Sequence, residues 1–484
     1  LAGGLGKLAR AHKACPPIAI SKITWALIVP WFLFDPRTSI VTGSHRRKSN
    51  RGSNAWIFCG LVVFSLLRVV VGSGTFSTLA TGLTGGGKYC AGVAVGTKVF
   101  AIPKNQNNVG VIDTTAGTFS TLATDLTGDN KFVTGVAVGT KVFAIPMDQN
   151  NVGVIDTTAS TFSTIATGLV GGYKYRAGVA VGTKIYAIPR SQADVGVIDT
   201  TASTFSTITT GVTGNYKYYA GVAVGTKVYA IPYYQNNIGV IDTTDDSFST
   251  IASTGVTGIR KYFAGVAVGT NVYAIPYWEN KIGVIDTVAG TFSTIATTSA
   301  GVSGNDKYYA GVAVGSKVYG IPYDQNDIGV IDTTTGTFST IATGLTEDRK
   351  YIAGVAVGSK VFAIPMDQNN VGVIDTTTGT FSTIATGMTG DYKYIDGVMA
   401  NGKICMIPYN QDAVGILTLP CSNTDGTLVN NVTLCTCGTT NCTSTTGKYC
   451  AEARNQCYAS ALPGPPESVA VRVVDEDTLQ VTIA

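Results

Sequence analysis

Seven aspartates stand at a nearly constant interval along this 484-residue chain: Asp113, Asp156, Asp199, Asp242, Asp286, Asp332 and Asp375, with Thr418 in the eighth place. Carboxylates gathered in a ring can hold a cation or move protons. A local role is the stronger reading. Each aspartate is followed by Thr-Thr or Thr-Val, and an Asp that opens a turn accepts backbone N–H bonds with its side chain. Chemistry that needs imidazole is excluded from the repeats, because the only histidines are His12 and His45. No triad base and no histidine metal ligand is therefore expected there. No catalytic residue, metal or cofactor is assigned, and the protein is not expected to be an enzyme.

A second recurrence joins a cation to an aromatic. Lys88, Lys131, Lys174, Lys217, Lys261, Lys307, Lys350 and Lys393 each precede a Tyr or Phe. A third element is a loop that follows each Ile-Pro pair, reading "KNQNN", "MDQNN", "RSQAD", "YYQNN", "YWENK", "YDQND", "MDQNN" and "YNQDA". Its first two positions vary within a constant frame, as a recognition face on a rigid scaffold requires. The expected ligand contacts are Tyr233, Tyr234, Tyr277, Trp278 and Tyr323 for stacking, and Gln235, Asn236, Asn237, Gln325 and Asn326 for hydrogen bonds. Lys217, Lys261 and Lys307 are expected to favour an acidic ligand. The competing reading makes the lysines solvated and the amides turn-formers.

The elements that must position these residues follow from the period. The Ile-Pro prolines are Pro103, Pro146, Pro189, Pro232, Pro276, Pro322, Pro365 and Pro408, spaced by 43 to 46 residues. That is eight units, in the length range of propeller blades. Within a unit apolar residues alternate at period two, and β-branched and aromatic types dominate, which is strand composition. The first unit reads "YCAGVAV" (89–95), "KVFAIP" (98–103), "NVGVIDT" (108–114) and "TFSTLAT" (118–124). Gly96-Thr97 makes a two-residue hairpin between the first two. Four antiparallel strands repeated radially solve the exposed-edge problem. The third strand is expected to end beside the start of the second, so that Lys98 and its equivalents pair with the aspartates. Gly92 and Ala94 are expected to be small because innermost strands crowd an axis, with Val93 and Val95 packing into the next blade.

A lone fourth strand opens the repeats at 75–81, and the last unit stops after its third, at 413–419. The orphans predict a closed ring in which residues 75–81 complete the eighth blade. The pattern "V.V....KVY......N.V.VIDT" resembles the YVTN-type and kelch-like propeller repeats over Thr75 to Leu419. That resemblance implies an architecture and no particular activity. No "S-x-D-x-G-x-T-W" box of the sialidase type is present.

The ends differ from the ring. Residues 1–74 carry a net charge of +9, against −2 for 75–419 and −3 for the remainder. Basicity is therefore N-terminal and gives no nucleic-acid face on the ring. "SHRRKSNRGSNAWIFCGLVVFSLLRVVVGSG" (44–74) has basic, apolar and small-residue parts in signal-peptide order. About 55–71 is read as a signal peptide, with a membrane anchor or an artefact as alternatives. The first methionine is Met147, so a piece of a longer chain is expected. Residues 420–461 hold Cys421, Cys435, Cys437, Cys442, Cys450 and Cys457. Three disulfides of open connectivity are expected, since no C-x2-C pair or nearby histidine supports zinc. This stretch resembles small Cys-rich modules of secreted protist proteins. Asn431 and Asn441 begin glycosylation sequons. Cys90 and Cys405, at different heights in neighbouring blades, are expected to stay unbonded. After "LPGPP", residues 462–484 resemble the start of a fibronectin type III domain, a β-sandwich.

These features predict an all-β chain built on an eight-bladed propeller. The expected role is non-enzymatic: a secreted or cell-surface protein whose propeller face binds a glycan or protein ligand. A structural or adhesive repeat protein without a discrete ligand is the alternative, and a propeller hydrolase or lyase is the third.

Overall fold

Alternation within each unit folds into four short antiparallel strands, and the eight units form eight separate four-stranded sheets. A computed structural model describes residues 74–421, together with 435–437, 440–442, 449–451, 454, 456–459, 469–475 and 478–483. The chain divides into Leu1–Arg68 and Val69–Ala484, and the described residues belong to the second unit. The signal or anchor segment, both histidines and Asn431 lie outside them.

Blade 1 comprises Tyr89–Val95, Lys98–Pro103, Asn108–Asp113 and Thr118–Ala123, and blades 2 to 7 repeat this order. Blade 8 is built from Tyr394–Ala400, Lys403–Pro408 and Ala413–Thr418, and its outermost strand is Thr75–Ala80. The pairing runs from Thr75 opposite Thr418 to Ala80 opposite Ala413. The ring is thus closed by joining the first strand to the last, as the orphans predicted. Each innermost strand packs on the innermost strands of both neighbours, whereas outermost strands barely meet. The blades therefore fan out from one axis.

The small residues of the inner strand have a different cause from the one expected. A Cβ added to Gly135 would lie 2.8 Å from Ile102 and 2.8 Å from Val93 of the preceding blade. Gly92 meets Val398 and Ile407 in the same way. These glycines face the neighbouring blade and not the axis, and they let two sheets approach closely. The valines do pack forward, as Val93 against Gly135 shows.

The inner hairpin places Gly96 at φ 60°, where glycine has no steric cost. One rung from the other end of the inner pair, every blade is irregular. Tyr89 pairs with Pro103 and Ala91 with Ile102, leaving Cys90 as an extra residue, and the same bulge recurs in the other seven blades. A proline suits this place because it has no N–H to lose from the ladder.

The aspartate ring is local. Asp113 accepts from the Thr115 and Ala116 N–H groups at 3.0 and 2.9 Å, and these bonds hold its carboxyl below the usual range. Lys98 stands opposite Asp113 in register, yet Lys227–Asp242, at 3.8 Å, is the one ion pair of this kind among the described residues. Three disulfides join Cys421 to Cys435, Cys437 to Cys450 and Cys442 to Cys457. Cys90 and Cys405 are not bonded to one another. Val469–Asp475 and Thr478–Ile483 form an antiparallel hairpin. No helix among the described residues is long and apolar enough to cross a membrane.

Candidate functional site

The bulge decides what the axis presents. An extra residue in one strand turns its side chain out of the ladder, and all eight bulged residues point into one axial cavity. They are Cys90, Val133, Arg176, Tyr219, Phe263, Tyr309, Ile352 and Ile395. The residue after each Ile-Pro proline forms a second ring around it, from Lys104 and Met147 to Tyr409. The cavity measures about 650 Å³, within the size range of small-ligand sites.

The backbone repeats eightfold and the lining does not. Blades 4 to 6 supply a continuous aromatic wall. Tyr219 stacks on Tyr233 with ring centres 3.6 Å apart, Phe263 lies 3.7 Å from Tyr309, and Tyr309 stacks on Tyr323 at 5.2 Å. Blade 3 supplies two cations. The Arg176 guanidinium lies over Tyr219 and Phe263, 5.1 and 5.3 Å from the ring centres. Arg190 lies over Tyr173, Tyr216 and Tyr219, at 4.4, 4.7 and 5.6 Å. Its Nε is buried and has no hydrogen-bond partner. Lys104 of blade 1 donates to the Tyr409 hydroxyl at 2.5 Å. None of these three cations forms an ion pair among the described residues.

The carboxylate lining the cavity is Asp396, where other blades have Ala or Thr. Its two oxygens accept from the Gly397 N–H at 2.8 Å and from the Gly92 N–H of the adjoining blade at 3.1 Å. Burial pushes its pKa up to about 6 despite these bonds. Cys90 donates to the Ile102 carbonyl at 3.4 Å, and burial pushes its thiol up to about 12, far from a reactive thiolate. Groups of residues able to gather around a metal, among the described residues, consist of the disulfide-bonded cysteines.

The sequence-predicted contacts separate into three sets. Tyr233, Tyr277 and Tyr323 line the cavity. Tyr234 and Trp278 belong to the rim. Tyr234 packs on Tyr216, and the Trp278 indole donates to Asp306 at 2.8 Å with Arg260 over its ring. The side-chain amides of Gln235 and Gln325 donate to their own blade's approach loops, at Thr213 and Ser303, while Asn237 accepts from the Tyr218 hydroxyl. Asn236 and Asn326 are exposed.

The lysine ring needs correction. All eight lysines are buried, at 0 to 1 % exposure. Lys217 donates to the carbonyls of Ser191 and Gln192, Lys261 to those of Tyr234, Gln235 and Gly258, and Lys307 to those of Trp278 and Gly304. Each ammonium thus staples its blade to the post-proline loop of the blade before, and carbonyl dipoles take up its charge, joined at Lys88 by an ion pair with Asp412 at 2.8 Å. Burial lowers the Lys261 and Lys307 pKa values to about 8. The residue ahead of each lysine has positive φ in all eight blades, including Tyr173, Tyr216, Arg260 and Tyr392. Such conformations cost non-glycine residues about 1–3 kcal/mol and mark a tightly held rim.

Sequence reading missed Arg176, Tyr219, Phe263, Tyr309 and Asp396. Their signal was one variable position in the otherwise constant frame K-Y-x-A-G-V-A-V, and Asp396 in place of its alanine.

Neither a family model nor a curated protein matches the sequence. Solved structures match in fold. The computationally designed Ika8 protein is 11 % identical with a TM-score of 0.56, covering 72 % of this chain and 100 % of its own. Sqt1 from Saccharomyces cerevisiae is 10 % identical with a TM-score of 0.55, covering 71 % and 98 %. Virginiamycin B lyase from Staphylococcus aureus is 15 % identical with a TM-score of 0.47, covering 71 % and 99 %. At these identities the likeness is one of propeller fold alone.

Proposed function

We propose that this protein is a non-enzymatic binding protein that takes its ligand in the axial cavity, at the propeller face carrying the post-proline loops. The observation that carries the reading is the contrast between an eightfold backbone and a lining that is aromatic on one side and cationic on another. A ring held together only for shape has no use for that asymmetry, because the glycines, valines and lysine staples that join the blades recur around it. Aromatic planes suit the apolar faces of sugars or protein side chains, which keeps glycan and protein ligands as the two classes. Disulfides, sequons and the signal-like segment support a secreted or cell-surface setting. The repeats are read as the YVTN-type or kelch-like kind, and the C-terminal hairpin as the opening of a fibronectin type III-like spacer.

Glycan and peptide arrays probed with the full chain test this reading. The expected result is a discrete set of ligands, lost when Tyr219 and Tyr309 are both replaced by alanine in a folded protein. Uniformly blank arrays would favour the structural or adhesive alternative. An activity lost on replacing acids of one blade would revive the hydrolase or lyase reading.

A further inference from the structure

The cations of the cavity say what kind of ligand it takes, granted the reading that the cavity binds one. Arg176 and Arg190 occupy, within blade 3, the two positions that line the axis in every blade. In the other blades those positions hold Cys, Val, Tyr, Phe, Ile, Met or Lys. Both guanidinium groups lie over one ring, that of Tyr219. Two like charges gathered at one ring repel, and neither is ion-paired with a carboxylate among the described residues to offset that repulsion. The buried Nε of Arg190 has no acceptor, and a buried donor without a partner is costly. The charge of Asp396 is engaged by two backbone N–H groups. Cation–aromatic contacts orient the guanidinium planes without supplying an acceptor to the Arg190 Nε, and the side-chain hydrogen bond of Arg176 to Tyr309 leaves most of its fork free.

We infer that the ligand carries a carboxylate on a ring with an apolar face. Arg176 and Arg190 hold the carboxylate, the group whose paired oxygens match a guanidinium fork. The ring body then lies along the wall of Tyr219, Phe263 and Tyr309. Two sources share this chemistry, an acidic sugar such as a hexuronate and a free aromatic carboxylate. The cavity of about 650 Å³ accommodates either one.

Calorimetric titration of the full chain tests the inference with four probes: glucuronate, its methyl ester, indole-3-acetate and its methyl ester. Each acid is expected to bind at least tenfold more tightly than its ester if it is of the recognised class, and the tighter acid identifies the source. Arg176→Gln and Arg190→Gln are each expected to weaken the acid at least tenfold, with Arg176→Lys recovering part of the loss. Raising salt from 50 to 500 mM is expected to weaken the acid several-fold and to leave the ester unchanged. That salt arm uses the unaltered protein and so stands if a variant fails to fold. Esters that bind as tightly as the acids, with both glutamine variants unaffected, would overturn the anion inference and leave the cavity reading intact. No binding of any probe at millimolar concentration would overturn the inference, while array ligands lost on the Tyr219 and Tyr309 replacements would still uphold the cavity.

Discussion

Replacing Lys261 by methionine separates a structural staple from a ligand contact. Methionine keeps most of the stem and removes the ammonium. The carbonyls of Tyr234, Gln235 and Gly258 then lose their donor at a site where Lys261 is 1 % exposed. Each carbonyl left unpaired costs about 1–3 kcal/mol, so three give a loss of roughly 3–6 kcal/mol once partial hydration by the exposed loops is allowed for. The opposing effect is relief of a desolvated charge. The Lys261 pKa is lowered from 10.5 to about 8 by burial, which penalises the ammonium by at most about 3 kcal/mol. With the full offset, the difference predicts a net destabilisation at pH 7 of roughly 0–3 kcal/mol, centred on about 1.5, read as a shift in the denaturant midpoint. A pH signature accompanies it. Below pH 8 folded and unfolded chains both hold the proton. Between about 8 and 10.5 the folded chain has released it, so unfolding takes up a proton and stability rises with pH across that window. The methionine variant should lack this contribution to the rise. A variant more stable than the parent, or one that loses ligand without losing stability, would refute the staple.

Deleting residues 75–81 should destabilise the ring, because it uncovers Val414 and Leu417, both fully buried, and exposes the edge of their strand; an unchanged melting temperature would contradict the closure. Asp396→Asn should gain stability relative to the parent as pH rises through about 6. The parent's folded carboxyl titrates there, above its unfolded value near 3.8, so its contribution is present in acid and lost above pH 6. Parallel pH profiles of the two proteins would count against a strained carboxylate. Non-reducing peptide mapping should find Cys421 with Cys435, Cys437 with Cys450 and Cys442 with Cys457; free thiols or bound zinc would exclude the module.

The number of blades, their four strands and the closing strand were legible because a repeat of fixed length repeats its alternation and its turn residues. The aspartates were legible too, since a residue that opens a turn acts within a few positions of itself. What a single unit cannot show is which neighbour a side chain meets. Gly92 looked like an axial residue and packs against the preceding sheet, because the blades pack face to face closer to the axis than the alternation reveals. Lys261 looked solvent-facing, yet a ring of loop carbonyls from the preceding blade takes it in. Cys90 and its equivalents lie within a run of ordinary strand residues. Only the bulge opposite proline turns Arg176, Tyr219 and Tyr309 to the axis, and a bulge has no residue type of its own.

The central claim is that ligand enters the cavity ring and is not held by the outer loops. The most direct test is the affinity of one array-selected ligand for the parent chain, for Tyr309→Ala in the cavity and for Trp278→Ala on the rim. The account predicts a loss of tenfold or more, about 1.4 kcal/mol, for Tyr309→Ala and a smaller loss for Trp278→Ala. Binding abolished by Trp278→Ala and untouched by Tyr309→Ala would place the ligand on the outer loops and contradict it.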